Sequence, residues 1–212
     1  MLIFYNVFIL DLNQILSSMK KIISIVILFY LLIYVQACDS EKNPMIILET
    51  SIGTISAELF PKQAPITVKN FLSYIKQNRY DECHFYRVVH SNNQPENKIL
   101  IEVIQGGLGI DKHPMELNAI THENTNQTNI LHKNGTISMA RLEPGTASSE
   151  FFICINDQPE LDYGGKRNSD GQGFAAFGQV IKGMEIVKRI QMLESKDQIL
   201  NDSIPIHIKI QL

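Results

Sequence analysis

Strict alternation of apolar and polar residues marks the C-terminal end of the chain. Ile204, Ile206, Ile208, Ile210 and Leu212 are separated by Pro205, His207, Lys209 and Gln211. A two-residue period puts each set on its own face, so residues 204–212 are predicted to form a half-buried β-strand. Near the other end, "MIILETSIGTISAELF" (45–60) reads as two short strands around a turn at Gly53, stopped by Pro61 and Pro65. The period then changes. In "PITVKNFLSYIKQN", Val68, Phe71, Leu72 and Ile75 fall at i, i+3, i+4 and i+7, one helical stripe. A second helix is predicted at "GMEIVKRIQML", with Met184, Val187 and Ile190 on one face. Between the helices lie five short β-rich runs, "FYRVV", "LIEVIQGG", "GTISMA", "EFFICI" and "FAAFGQV". Many short strands, two helices and little βα alternation predict a mainly-β fold, a closed antiparallel barrel or a sandwich.

The N-terminus breaks this pattern. From Met19 the chain reads "MKKIISIVILFYLLIYVQAC": Lys20 and Lys21 precede an uncharged run from Ile22 to Val35, ending at Ala37 and Cys38. The run is short for a bilayer span and suits a secretory signal. Its end resembles a bacterial lipoprotein signal, with Cys38 as the lipidated mature N-terminus, although Gln36 replaces the usual small residue. Residues 1–18 carry no positive charge and are expected to be an upstream extension, the true start being Met19. The expected organisation is therefore 1–37 removed, 38–44 a lipid-anchored linker and 45–212 the folded domain. The chain would then sit in a bacterial cell envelope, facing the periplasm or the cell surface. At 212 residues, 44% hydrophobic and 19% charged, the whole has an ordinary globular balance. Its formal net charge of −3 offers no basic excess for a nucleic-acid partner.

Reactive-looking residues cluster in "CHFYRVVH", residues 83–90. Cys83 and His84 are adjacent in a predicted strand and so point to opposite faces, which argues against a nucleophile pair. There is no second Cys or His cluster at zinc-finger spacing, and no metal or cofactor is expected. The serines of "TASSEFF" lack the G-x-S-x-G elbow, and "GQGFAAFG" lacks dinucleotide-loop spacing. Arg87 interrupts an apolar strand, and its period predicts a face shared with Phe85 and Val89. A buried arginine requires a partner, so it should sit at a pocket rim or be paired.

The ordered series "HFYRVV", "IQGG", "GTISMAR", "SSEFFICI", "LD" and "FAAFGQVIKGMEIV" resembles the cyclophilin family of peptidyl-prolyl cis-trans isomerases, from Met45 to Leu212. The resemblance implies a closed eight-stranded antiparallel β-barrel capped by two α-helices, acting on proline-containing peptides or unfolded proteins as a monomer. It implies Arg87, Phe152 and Gln105 as catalytic residues. It also implies substrate contacts from Met139, Ala140, Arg141, Glu150, Leu161, Phe174 and Val103. Several positions depart from the family pattern. Glu150 replaces a glutamine near the arginine and could pair with it; Arg141 replaces an asparagine that contacts peptide backbone. Glu160 stands where many members have tryptophan, Phe174 replaces a histidine, and Glu102 and Val103 replace large apolar groups. Segments "HSNNQPENK" and "YGGKRNSDGQG" are longer than the pattern. Activity weaker or narrower than a full-motif member, and poor binding of cyclosporin-type ligands, are expected. The alternatives are a non-enzymatic proline-peptide chaperone, or a lipocalin-like carrier that fits the barrel but not the ordered motifs.

Overall fold

The computed structural model describes residues 18–27, 42–109 and 112–211. The chain divides between Lys42 and Asn43 into two units. In the first, residues 18–27 are helical; Cys38 and the expected upstream extension before residue 18 lie outside the described residues. Among the described residues no helix is long and apolar enough to cross a membrane.

The second unit is one antiparallel sheet with helices. Its strands are β1 Met45–Thr50, β2 Gly53–Leu59, β3 His84–Val89, β4 Val103–Gly107, β5 Thr136–Met139, β6 Phe151–Cys154, β7 Ala175–Lys182, β8 Ser195–Lys196, β9 Ile199–Pro205 and β10 His207–Gln211. They are hydrogen-bonded in the order β10-β1-β2-β7-β5-β6-β4-β3-β9-β8. The sheet thus has ten strands and two ends, not the closed eight-stranded barrel expected. Two local facts account for the difference. Residues 195–205 form an additional hairpin, β8–β9, and the predicted strand over 204–212 divides at Ile206. Pro205 has no N–H to continue the ladder with β3, and the Ile206 N–H donates to Cys83 O at 2.8 Å. Beyond it the chain pairs with β1 instead, so β9 and β10 hold opposite sides of the sheet through continuous backbone rather than a closing ladder.

Both predicted helices are present, as α1 Pro65–Lys76 and α3 Met184–Gln191, together with a single turn, α2 Thr125–Thr128. The buried face of α1 is Thr67, Val68, Asn70, Phe71 and Tyr74, rotated from the predicted stripe because Tyr74 rather than Ile75 is enclosed. Its N-terminus has no side-chain cap of its own. Glu123 supplies one from afar, accepting from Ile66 N (3.2 Å), Thr67 N (2.7 Å) and Thr67 Oγ1 (2.7 Å), a carboxylate at the positive end of the helix. Phe71, Tyr74, Tyr80, Phe85 and Phe151 pack edge-to-face or stacked in the interior, and each ring buries a large apolar area. Asn70 Nδ2 donates to Ser148 O at 2.7 Å, which ties α1 to the segment leading into β6.

A second, smaller apolar cluster lies apart from this interior: Val89, Ile101, Val103, Phe152, Cys154 and Leu161, with Ala140 and Phe174 against it. It is the floor of the site described next.

Candidate active site

Pairing register builds the site. Arg87 lies opposite Gln105 on β4, and Gln105 lies opposite Phe152 on β6. Three residues far apart in sequence therefore form one row across adjacent strands, at the spacing of cross-strand neighbours. In the next row Val89, Val103 and Cys154 are aligned in the same way.

Arg87 reaches this row because of a β-bulge. Against β4 the register shifts between Phe85 and Arg87, leaving Tyr86 as an extra residue; against β9 the pairing is irregular at the same place, passing from Ile204 to Ile199. Phe85 and Val88 consequently face the main interior, while Val89 joins the second cluster, Arg87 lines its cavity and Tyr86 lines the cleft beside it. The expectation that Arg87 shares a face with Phe85 is corrected here; simple alternation fails wherever a strand carries one residue too many.

The guanidinium is held by neutral acceptors. Its Nη1 donates to Gln105 Oε1 (2.7 Å), while Nε (3.1 Å) and Nη2 (2.6 Å) both donate to Gln198 Oε1. Gln198 belongs to the turn between β8 and β9 and is fixed by its own Nε2 donating to Asn93 O at 3.0 Å. An arginine has five N–H groups. Three are used here, which leaves one on each terminal nitrogen without a partner among the described residues. Burial lowers the Arg87 pKa from its usual value, yet a guanidinium remains charged at any physiological pH.

Glu150 does not pair with Arg87. Its carboxylate accepts from Tyr86 Oη (2.6 Å), Leu108 N (2.8 Å), Gly109 N (3.2 Å) and Ser149 Oγ (3.0 Å). Gly107, at φ +151°, admits this approach, since a Cβ there would collide with the carboxylate. The consequence is directional. With the Tyr86 proton committed to Glu150, the phenol oxygen accepts from Gln105 Nε2 at 2.6 Å, so the Gln105 carbonyl must face Arg87. Glu150 therefore orients the arginine at two removes and neither neutralises nor competes with it. Burial pushes its carboxyl above the usual 4.5 despite four donors. Burial, and then the Glu150 charge, pushes the Tyr86 hydroxyl well up, so Tyr86 stays a proton donor.

Phe152 is 4% exposed and is braced from behind. The His132 ring stacks on it (centroids 5.9 Å apart, planes at 15°), and Phe174 meets it edge-on at 5.3 Å. His132 Nδ1 lies 2.7 Å from Asp162 Oδ1 and Nε2 lies 2.9 Å from Ser138 Oγ. These distances are those of a Ser-His-Asp triad, but Ser138 is fully buried beneath Phe152 and no substrate carbonyl can reach it. The chain of bonds positions a ring. Cys83 and Cys154 are equally withdrawn: both are buried free thiols whose pKa burial raises well above the usual value.

Arg87, Gln105, Val103, Ala140, Arg141, Phe152, Leu161 and Phe174 line one cavity of about 270 Å³. Glu150 lines an adjoining cleft of about 590 Å³, which shares Arg87, Gln105, Ala140 and Arg141. Met139 is not brought to either. It is fully buried in the main interior, because β5 turns that side chain inward while Ser138 and Ala140 face the other way. Arg141 is at the cavity but is spent: Nε and Nη2 donate to Gly173 O, Nη1 to Leu142 O, and both terminal nitrogens to Asp170 at 2.8 and 2.9 Å. It lies over the Phe174 ring at 5.2 Å and supports that wall, with no donor left for the peptide-backbone role expected of it. Sequence reasoning missed Tyr86, His132 and Gln198. The one available signal was that an arginine interrupting an apolar strand requires acceptors, more than Gln105 alone supplies.

The family model described as "Cyclophilin type peptidyl-prolyl cis-trans isomerase/CLD" matches residues 45–211. The chain is 33% identical over 165 residues to a peptidyl-prolyl cis-trans isomerase of Acinetobacter baylyi, covering 77% of this chain and 80% of that one. It is 31% identical over 164 residues to peptidyl-prolyl cis-trans isomerase B of Escherichia coli, covering 76% and 92%. In fold it resembles a cyclophilin-type isomerase of Cryptosporidium parvum, with a TM-score of 0.62 and 23% identity over 80% of this chain and 98% of that one.

Because the folded-state pKa of Glu150 is raised, its contribution to stability is complete below the usual carboxylate value and is lost as pH rises through the folded value. Urea unfolding between pH 4 and pH 7 should show wild type losing more stability with rising pH than Glu150→Gln. Parallel pH profiles for the two proteins would contradict the assigned burial of that charge.

Proposed function

Because the chain belongs to the cyclophilin-type family and is a peptidyl-prolyl cis-trans isomerase, we propose that Arg87, oriented by Gln105 and Gln198, is the group that lowers its rotational barrier. The barrier is amide resonance, about 18–20 kcal/mol, and an X-Pro bond relaxes unaided over tens to hundreds of seconds. Nothing need be broken. A site has only to favour the twisted peptide, in which the proline nitrogen has lost conjugation and carries a lone pair. The floor of Phe152, Leu161 and Val103 suits a proline ring and excludes water from it. Arg87 lines the same cavity, and its two uncommitted N–H groups are available to bond the freed nitrogen or the carbonyl oxygen. Gln105 and Gln198 fix their direction before substrate arrives, which is electrostatic preorganisation. The observation that carries this reading is the forked, half-satisfied guanidinium beside an apolar slot. A solved cyclophilin-type relative described in the presence of the dipeptide Ala-Pro is in keeping with such a ligand.

Wild-type protein should accelerate cis-trans exchange of a proline peptide in a protease-coupled assay. Arg87→Ala should reduce kcat/KM by about 10²-fold or more, the scale of losing preorganised donors. Equal rates for wild type and variant would reject the role, and binding of the peptide without any rate enhancement would select the non-enzymatic chaperone reading.

The clients are exported proteins in this reading, with the domain held at a bacterial membrane by a lipid on Cys38. Support comes from Lys20 and Lys21, the apolar run to Val35 and the small Ala37 before the cysteine. Expressed in a bacterium, the full chain should be found in the membrane fraction and Cys38→Ser should not be. A mature mass that retains residues before Cys38 would overturn the anchoring.

A further inference from the structure

The segments after β3 and after Leu161 and Asp162, which the resemblance implies to be longer than the family pattern, meet at the cavity. Arg167, from the segment after Leu161 and Asp162, donates through Nη1 to Gln94 Oε1 (3.2 Å) and to Ile99 O (2.6 Å) in the segment after β3. Gln94 is a rigid acceptor, 2% exposed and bonded by its Nε2 to His90 O and Ile101 O at 2.9 and 2.8 Å. The far segment is closed at its base by Phe174 N donating to Leu161 O at 3.0 Å. Arg167 thereby becomes part of the wall of the cavity that holds Arg87 and Phe152.

Charge at this wall is unbalanced. Of the three arginines lining the cavity, Arg141 is neutralised by Asp170, and all five of its N–H groups are committed. Arg87 and Arg167 have only amide and carbonyl acceptors, and neither has a carboxylate partner among the described residues. Glu160, just before this segment, accepts from Lys166 N at 2.8 Å, and Asp170 within it is taken by Arg141. Nε and Nη2 of Arg167 have no partner among the described residues, and beside it Asn168 Nδ2 is buried without one. No acidic side chain lines the cavity. Burial lowers the pKa of both guanidiniums, and the Arg87 charge lowers that of Arg167 further, as two like charges on one space must. Two cations lining an apolar slot, each with donors to spare, make a place for an anion.

Building on the isomerase reading above, we propose that Arg167 is a specificity-determining residue. It makes the enzyme favour proline segments that carry a side-chain carboxylate within one or two residues of the proline. The acid compensates Arg167 while the proline ring sits against Phe152 and the amide meets Arg87. Opposite charge at the rim acts on capture, so the preference belongs mainly to KM.

NMR exchange rates on three otherwise identical peptides, with Glu, Gln or Lys placed in turn before and after the proline, test this with the full chain. At low ionic strength the Glu peptide should exceed the Gln peptide by about fivefold in kcat/KM in at least one placement, and the Lys peptide should fall below both. The difference should fade at about 0.5 M salt. Arg167→Gln should bring the Glu-to-Gln ratio to about one, Arg167→Lys should keep it, and Arg167→Glu should turn the preference toward Lys. Equal rates for the three peptides with wild type, or a ratio unaltered in Arg167→Gln and Arg167→Glu, would overturn the proposal. Absence of turnover on all three peptides would overturn the isomerase reading instead.

Discussion

An extra residue in β3 sets the geometry on which the site depends. The bulge at Tyr86 turns Tyr86 and Arg87, neighbours in the chain, toward the same face, while Phe85 and Val88 on either side stay in the interior. Regular pleating would have carried Arg87 inward beside Phe85, where a charge without a counterion is costly. With the bulge, the arginine stands in register with Gln105 and Phe152, and the phenol beside it reaches Glu150. The sheet thus supplies position, and the hydrogen-bond chain running from Glu150 through Tyr86 and Gln105 supplies direction.

That chain also explains how a carboxylate can stand near the arginine without disabling it. Glu150 spends its acceptor capacity on a phenol, a serine and two backbone amides, and Gly107 makes the room for them. Its charge fixes the polarity of the network. Arg87 is left with neutral acceptors on one side and an open cavity on the other. The same economy recurs at Arg167, held by Gln94 and Ile99, whereas Arg141, fully satisfied by Asp170 and backbone carbonyls, serves as a strut under Phe174. Three arginines around one space have three different roles, decided by which acceptors each has found.

Much of the fold was legible because period and punctuation are local signals. The helices at 65–76 and 184–191 and the short strands follow from them, and the ordered motifs identified Arg87, Gln105 and Phe152, which the register unites. What was hidden is non-local. A bulge cannot be seen in "HFYRVV", whose alternation puts Arg87 with Phe85. The division of the last strand at Ile206 depends on Cys83 O, a partner more than a hundred residues away. Gln198 and His132 are ordinary polar residues until folding brings one to a guanidinium and the other to Phe152. Met139 and Arg141 stand within motifs that resemble the family's, yet one faces inward and the other is already bonded.

The central claim is that the two forked N–H groups of Arg87, not its charge alone, favour the twisted proline amide. Lysine keeps the charge and loses the planar fork that Gln105 and Gln198 grip. Measuring kcat/KM for cis-trans exchange of a proline peptide by Arg87→Lys, in protein shown to be folded, tests this directly. The account predicts a rate at least about tenfold below wild type; a lysine variant as fast as wild type would contradict it.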